Sequence, residues 1–439
     1  MPTTPREDCA RRDAEDPLAP LRAQFVLPDG LIYLDGNSLG VLPRATAARL
    51  QAVVQQEWGQ GLIRSWNDAG WIAQPQRVGD AIATLVGAGE GELVVADSTS
   101  VNLFKVLSAA ARIVRADAPQ RRVIVSERQN FPTDLYIAEG LARELGWTLE
   151  LHDAEGVAAR LAGGRGADVA LLMLTHVNYR TGAMHDMAAL SAAAHAAGAL
   201  AVWDLAHSAG AVPVALRDDG ADFAIGCGYK FLNGGPGAPA FVWSHPRHAE
   251  RFWQPLSGWM GHAAPFRFEP GYVPAPGIGR FLCGTPAVLS LAALECGVAS
   301  VLAAGPFGGM AALRAKSVAL TALFIDLVDA RAASLGLEVV SPRAAGGRGS
   351  QVSLRLRDGF DDGDADAAYA IVQALIARGV IGDFRAGAPA EGLPDILRFG
   401  FTPLYLRFID AFDAVEQLVQ VIEAAEHRQA RFRRRAAVT

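Results

Sequence analysis

Five short, uninterrupted apolar runs limit what this 439-residue chain can become. They are RVIVS (122–126), VALLMLT (169–175), ALAVWD (199–204), ADFAIG (221–226) and AFVWS (240–244). A strand with one wet face alternates apolar and polar residues, so a continuous run fits a strand buried on both faces. Amphipathic helical patterns separate several of these runs, for example over 134–145 and 187–197. Strands of this kind alternating with helices predict an α/β fold: a mostly parallel sheet covered by helices on both faces. Such sheets bind ligands beyond the carboxyl ends of their strands. The polar residues that follow the runs therefore carry weight: Glu127, Thr175, Asp204, Tyr229 and Lys230.

Around this sheet the chain has a recognisable order. Residues 1–30 are rich in proline and charge and read as an extended N-terminal arm. LIYLDGNSLG (31–40) reads as a short strand and a turn, followed by a helix from about Pro43 with apolar spacing through Leu50, Val53, Val54 and Trp58. Helices are expected over about 286–303 and 309–334. Beyond them LEVVSP, QVSLRLR, a helix over 365–378, VIGDFR and ILRFGF describe a smaller α+β unit. The expected division is an arm (1–30), a large domain (31–300) and a small C-terminal domain (301–439). The basic run RQARFRRR near the C-terminus reads as a solvated helix end.

Hydrophobic residues make up 51% of the chain, enough for a large core, and the net charge of −6 argues against a nucleic-acid surface. The four cysteines, Cys9, Cys227, Cys283 and Cys296, form no CxxC and read as free thiols of a reducing, cytoplasmic compartment. The N-terminal residues carry no apolar run, so no signal peptide is expected, and glycine and proline interrupt the uncharged stretches that could otherwise span a membrane. Walker A, HExxH and GxGxxG patterns do not occur, no GxSxG nucleophile elbow is read, since GNSLG (36–40) stands in the turn after a short strand, and HPRH (245–248) lacks further metal ligands.

Of 40 basic residues only Lys105, Lys230 and Lys316 are lysine. Coding bias accounts for this on a solvated surface, but arginine cannot supply a deprotonated amine and lysine can. Few places remain to look for a required amine. Lys230 stands just past an apolar run in GCGYKFLNGGPG (226–237), and Asp204 ends the preceding run in WDLAHSAG (203–210), with His207 three residues on. A strand-end carboxylate and a following lysine fit pyridoxal phosphate: the amine joins the cofactor aldehyde, and the carboxylate keeps the ring nitrogen protonated. A structural Asp–Lys ion pair fits the same residues.

In DSTSVNLFKVL (97–107), Thr99 and Ser100 open an apolar helical stretch, where hydroxyls and free N–H groups suit a phosphate or an ordinary N-cap. In NFPTDL (130–135), Phe131 precedes a helix capped near Thr133 and could stack on a cofactor ring with Asp134 as acceptor, or serve as a hydrophobic staple. Arg398 in ILRFGFTPLYL follows a strand-like run, where a guanidinium fork suits a carboxylate.

YLDGNSLG, STSVNLFK, NFPTD, THVNYRTG, WDLAHSAG, GYKFLNGGPG, the GW of LSGWMGH and RFGFTPLY, in this order from about Tyr33 to Tyr405, resemble the class V aminotransferase group of pyridoxal phosphate enzymes, and within it the kynureninase family. The resemblance implies that Lys230 carries the cofactor, with Thr99, Ser100, Tyr229 and His207 around its phosphate and ring. It implies that Phe131 stacks on the ring and that Asp134, Thr175 and Asp204 contact it. It further implies that Trp259 and Thr285 reach the cofactor phosphate of a partner subunit in a homodimer, that Arg398 clamps the substrate carboxylate, and that Trp66 lies at the aryl end. The implied activity is hydrolysis of the Cβ–Cγ bond of kynurenine, and of 3-hydroxykynurenine, in tryptophan catabolism or NAD biosynthesis; Tyr229, by its position beside Lys230, is a candidate proton donor or relay. Other class V enzymes, an aminotransferase or a cysteine desulfurase, and an inactive binding protein of the same fold are the rival readings. A small amino-acid substrate, rather than nucleic acid or a membrane, is the expected partner.

Overall fold

The computed structural model describes residues 5–436, so the first four residues of the expected arm and the last three of the expected small domain lie outside the described residues. In chain order its strands are β1 (Ile32–Tyr33), β2 (Leu93–Val95), β3 (Val123–Glu127), β4 (Thr148–His152), β5 (Val169–Thr175), β6 (Leu200–Asp204), β7 (Phe223–Gly226), β8 (Phe241–Ser244), β9 (Leu337–Val339), β10 (Gln351–Leu356), β11 (Val380–Ile381), β12 (Asp383–Arg385) and β13 (Ile396–Gly400). The chain forms two compact units. The larger comprises Ala45–Asn178 and His185–Ala299; the other comprises the residues up to Arg44, Tyr179–Met184 and the residues from Ser300 on. Segments 31–44 and 179–184, assigned above to the large domain, thus pack with the C-terminal residues.

In the larger unit seven strands form one sheet in the order β2-β8-β7-β6-β5-β3-β4. Only β8 runs against its neighbours; the other ladders are parallel. Every residue of β5 is buried, as a strand covered on both faces requires. One face meets the helix Thr99–Asp117, whose Leu103, Val106, Ala110 and Ile113 pack on Ile124, Met173, Val202, Ile225 and Val242. Toward the other face, the buried Trp203 donates its indole N–H to Ser191 Oγ of the helix Met187–Ala197 (3.1 Å).

In the smaller unit β12-β13-β10-β9 form an antiparallel sheet, and β1 pairs with β11 in parallel. Its N-terminal segment is not the extended arm expected. Arg6–Ala14 is helical, with Glu7 and Asp8 in its first turn and Arg11 and Arg12 in its last, each sign matched to the helix dipole. Asp13 accepts from the backbone N–H groups of Phe408 (2.6 Å) and Ile409 (3.0 Å), capping the helix Phe408–Glu423. Several of the charges that suggested an extended arm are engaged in contacts: Arg6 pairs with Asp413 and Asp16 with Lys316 (both 2.7 Å). The basic tail differs as well: it forms short 3-10 turns at Glu426–Arg428 and Ala430–Phe432, and its arginines pair with an acidic loop, Arg433 with Asp364 (2.5 Å) and Arg435 with Asp366 (2.9 Å).

Two local departures have clear causes. The helix expected through Trp58 is α-helical over Arg44–Ala52 and then widens to a π-helix over Val53–Gly61, where the valine pair and two glycines weaken α-helical preference. Helix Pro132–Leu145 has its N-cap at Phe131, not near Thr133, because Pro132 supplies the preset φ of a first helical position. By length and composition the run Val288–Phe307 is apolar enough to cross a bilayer, contrary to the reading above, and half of its most apolar window is buried inside the protein. One carboxylate, Glu295, and scattered glycines do not lower its mean hydropathy enough to fail that test.

Candidate active site

In the larger unit, the carboxyl ends of β3, β5, β6 and β7 deliver the predicted polar residues to one region. After β7 the chain must fold back tightly to present Lys230. Gly228 permits this: a Cβ there would stand 2.4 Å from the carbonyl oxygen of Pro239. Asn233 N–H then donates to Lys230 O (2.9 Å), and Gly234 N–H to Gly228 O (2.9 Å), closing the turn. The Lys230 amine lies 3.0 Å from His207 Nε2, and its Nζ is 6.0 Å from the Phe131 ring centre and 5.7 Å from that of Tyr229.

Asp204 is buried at the end of β6, and one of its oxygens accepts from Ala206 N–H (2.8 Å). Asp134 is buried beside it. Burial pushes both carboxyls up; the Lys230 charge pulls both back, and Asp134 is raised further by the charge of Asp204. Their mutual hydrogen bond raises Asp134 and lowers Asp204. Thr175 Oγ1 at the end of β5 bonds Asn130 Oδ1 and reaches Asp134 Oδ2 at 3.4 Å. Asn130 in turn bonds Ser126 Oγ (3.1 Å) and accepts from Phe131 N–H (2.7 Å). Asn130 was quoted only as part of NFPTD; its role as the hub of this network was not read from the sequence.

Thr99 and Ser100 occupy the first turn of the helix Thr99–Asp117, both half-buried, while the N-cap is Ser98, whose Oγ accepts from Val101 N–H (3.3 Å). Lys105, fully buried in that helix, bonds Asp97 and the carbonyl of Phe281 (2.7 Å), and so fixes Asp97 in a left-handed conformation at the helix entrance. Three other predicted residues belong to the same unit. Trp259 packs on Phe266 and Phe268, Thr285 is exposed, and Trp66 meets Trp71 edge to face at 6.1 Å.

The smaller unit contains an arginine centre. Arg398 lies on β13 directly across the ladder from Asp383 on β12, which explains their ion pair. The guanidinium is buried and also donates to Tyr179 O (2.8 Å) and Ser38 Oγ (2.6 Å). Asn37 accepts from Arg398 Nε (3.0 Å) and donates to Asp35 Oδ1 (3.3 Å). Of these partners, Asp35, Asn37 and Ser38 belong to the quoted YLDGNSLG motif, and Asp383 had no sequence signal.

The residues of the lysine cluster fit pyridoxal phosphate. They include an amine flanked by aromatic faces, a buried carboxylate at a strand end that a cationic ring nitrogen would satisfy, and the open first turn of a 19-residue helix for a dianion. A desulfurase-type reactive cysteine is a poor fit: Cys283 is half-buried, with its carbonyl accepting from Met260 N–H (3.1 Å), and burial pushes the Cys227 and Cys296 thiols up.

Comparison with known proteins agrees with this chemistry. The aminotransferase class V family pattern matches residues 32–362, and the kynureninase C-terminal domain pattern matches 313–418. A kynureninase of Pseudomonas fluorescens is 55% identical over 438 residues, covering 99% of this chain and all of that protein. One from Burkholderia pseudomallei (strain 1106a) is 54% identical over 434 residues, covering 99% of each. Among solved structures, a cysteine desulfurase of Thermococcus onnurineus NA1 superposes with a TM-score of 0.74 at 19% identity, covering 92% of this chain and 98% of that one. The cystine C–S lyase C-DES does so with a TM-score of 0.74 at 18% identity, covering 89% and 98%. At such identities these two share the fold alone.

Proposed function

The chain belongs to the kynureninase family of class V pyridoxal phosphate enzymes, and from that membership we propose that it hydrolyses L-kynurenine to anthranilate and L-alanine. The observation that carries this reading is the full-length identity of 55% to a kynureninase, on a chain whose lysine cluster retains the amine and buried carboxylate the cofactor needs.

In the reaction one water adds across the Cβ–Cγ bond: hydroxyl goes to the acyl carbon, giving anthranilate, and a proton goes to Cβ, giving alanine. Bound pyridoxal phosphate supplies an electron sink conjugated to the substrate amine, which makes the Cα proton acidic and stabilises negative charge at Cβ. Lys230 would hold this group covalently, Asp204 would face its ring nitrogen, Phe131 its ring face, and Thr99 and Ser100 its phosphate, with Asp134, Thr175, His207 and Tyr229 around its edge. The Lys230 amine, 3.0 Å from His207 Nε2, takes the Cα proton and returns it. Tyr229, whose ring lies beside Lys230, relays the proton to Cβ. Arg398 takes the substrate carboxylate by a two-pronged hydrogen bond, and Trp66 bounds the aryl ring.

The same reading includes 3-hydroxykynurenine as a second substrate, since one added hydroxyl changes binding little without a dedicated partner. It places the reaction in tryptophan breakdown or NAD synthesis, and the protein in the cytoplasm, consistent with free thiols. It also includes a homodimer in which Trp259 and Thr285 serve the partner's cofactor phosphate; the exposed Phe266 and Phe268 beside Trp259 support an apolar contact there. Anthranilate fluorescence and alanine formed in equal amounts from kynurenine, with no keto acid added, is the expected result. Turnover that requires a keto acid would overturn the reading in favour of an aminotransferase.

A further inference from the structure

The arginine centre has a charge balance that the substrate must disturb. Two guanidinium groups, Arg398 and Arg385, face two carboxyls, Asp383 and Asp35. Asp383 Oδ2 pairs with both arginines, at 2.6 Å from Arg385, and also accepts from Ser38 Oγ (3.2 Å). Asp35 reaches Arg398 through the Asn37 amide. Arg398 has five N–H donors, and its contacts with Asn37, Tyr179, Ser38 and Asp383 engage most of them. With both carboxyls ionised, a ligand carboxylate arriving here meets a centre already neutral and already bonded.

We propose that Asp35 makes carboxylate capture at Arg398 proton-linked: the ligand is held when Asp35 carries a proton and one guanidinium charge is unmatched, and is refused as Asp35 ionises. This rests on the reading of Arg398 as the carboxylate site. Asp35 is placed for such a role. Burial and the facing Asp383 charge push its carboxyl up to about 7, against the pull of Arg398, Ser38 and Arg385. The remaining titratable groups around it are Tyr33 on β1 and Tyr405 after β13. Burial pushes both phenols far up, so they stay neutral over the same range.

The test uses the cofactor-loaded, full-length enzyme and an inert competitive probe, the desamino analogue of kynurenine, 4-(2-aminophenyl)-4-oxobutanoate. The probe has the carboxylate and no α-amine to titrate. Its inhibition constant should be flat below about pH 7, rise about fivefold between pH 7 and 8, and approach tenfold per unit above that. Asp35→Asn should bind the probe tightly with a flat profile, and Asp35→Glu should restore the rise. If Asp35→Asn keeps the wild-type profile, the proposal is wrong while the carboxylate site stands. If Arg398→Ala binds the probe as well as wild type at every pH, the site assignment itself fails. Should Asp35→Asn not fold, calorimetry of the wild type in two buffers of different ionisation heat decides. Proton uptake with the carboxylate probe and none with its amide supports the linkage; equal uptake with both overturns it.

Discussion

The Lys230 amine and His207 Nε2 stand 3.0 Å apart, in a turn that Gly228 allows to pass close to Pro239. At this distance one nitrogen hydrogen-bonds the other, which fixes where the amine stands. Lys230→Ala is expected to abolish turnover and covalent cofactor retention. Borohydride reduction followed by peptide mass mapping should place the cofactor on the peptide containing residue 230 in the wild type and nowhere in the variant.

Asp204 is buried with its charge facing Lys230. Removing one member of a buried charge pair costs about 3–5 kcal/mol, because the other is left uncompensated. Asp204→Asn should also lower kcat/KM for kynurenine by roughly a hundredfold or more, because the cofactor's ring nitrogen would lose the carboxylate that keeps it protonated. A loss under tenfold would show that this carboxylate does not act on the cofactor ring.

Arg398 presents a planar fork that lysine cannot imitate. Arg398→Lys should raise KM for kynurenine by roughly a hundredfold while shifting kcat less, as expected when ground-state and transition-state contacts to a carboxylate are lost together. Steady-state kinetics on both variants, Arg398→Lys and Arg398→Ala, check the split.

At the opposite end of the sheet Asp222, just before β7, accepts from His248 (2.7 Å), His195 (2.8 Å), Arg247 (2.5 Å) and Ala201 N–H (2.7 Å). Burial pushes its carboxyl up, but these donors together hold it well below the usual carboxylate range. A depressed folded-state pKa stabilises the fold above the unfolded value of about 4 and loses that contribution as pH falls below it. Asp222→Asn should cost about 3–5 kcal/mol at neutral pH, and the gap from wild type should narrow in acid. Urea midpoints at pH 7 and in acid measure both.

Lys105 is fully buried, bonded to Asp97 and the Phe281 carbonyl. Lys105→Met should lower the thermal midpoint and weaken cofactor affinity together, since Asp97 sets the entrance of the helix that bears Thr99 and Ser100. Cofactor retention on dialysis beside a melting curve reads both effects.

Much of this was legible because it is local. An unbroken apolar run states that both faces of a strand are buried, whatever lies next to it, so VALLMLT is β5 to the residue and Thr175 and Asp204 fall at strand ends. Scarcity of lysine narrowed the search to three amines. It could not separate them: Lys105 and Lys316 are buried and ion-paired, with Asp97 and Asp16, while Lys230 faces His207. That distinction depends on what surrounds each side chain, and the surroundings come from distant parts of the chain.

The sequence by itself determined the order of strands and helices and the polar residues at their ends, because periodicity and chain direction act within a few residues. Only the tertiary structure decided which groups share a charge. Asp383 meets Arg398 through a cross-strand register, and Asp35 joins them because β1 pairs with β11 almost 350 residues later. Electrostatic energy falls with distance through space and is indifferent to separation along the chain, so a proton on Asp35 answers to residues that no local pattern connects to it.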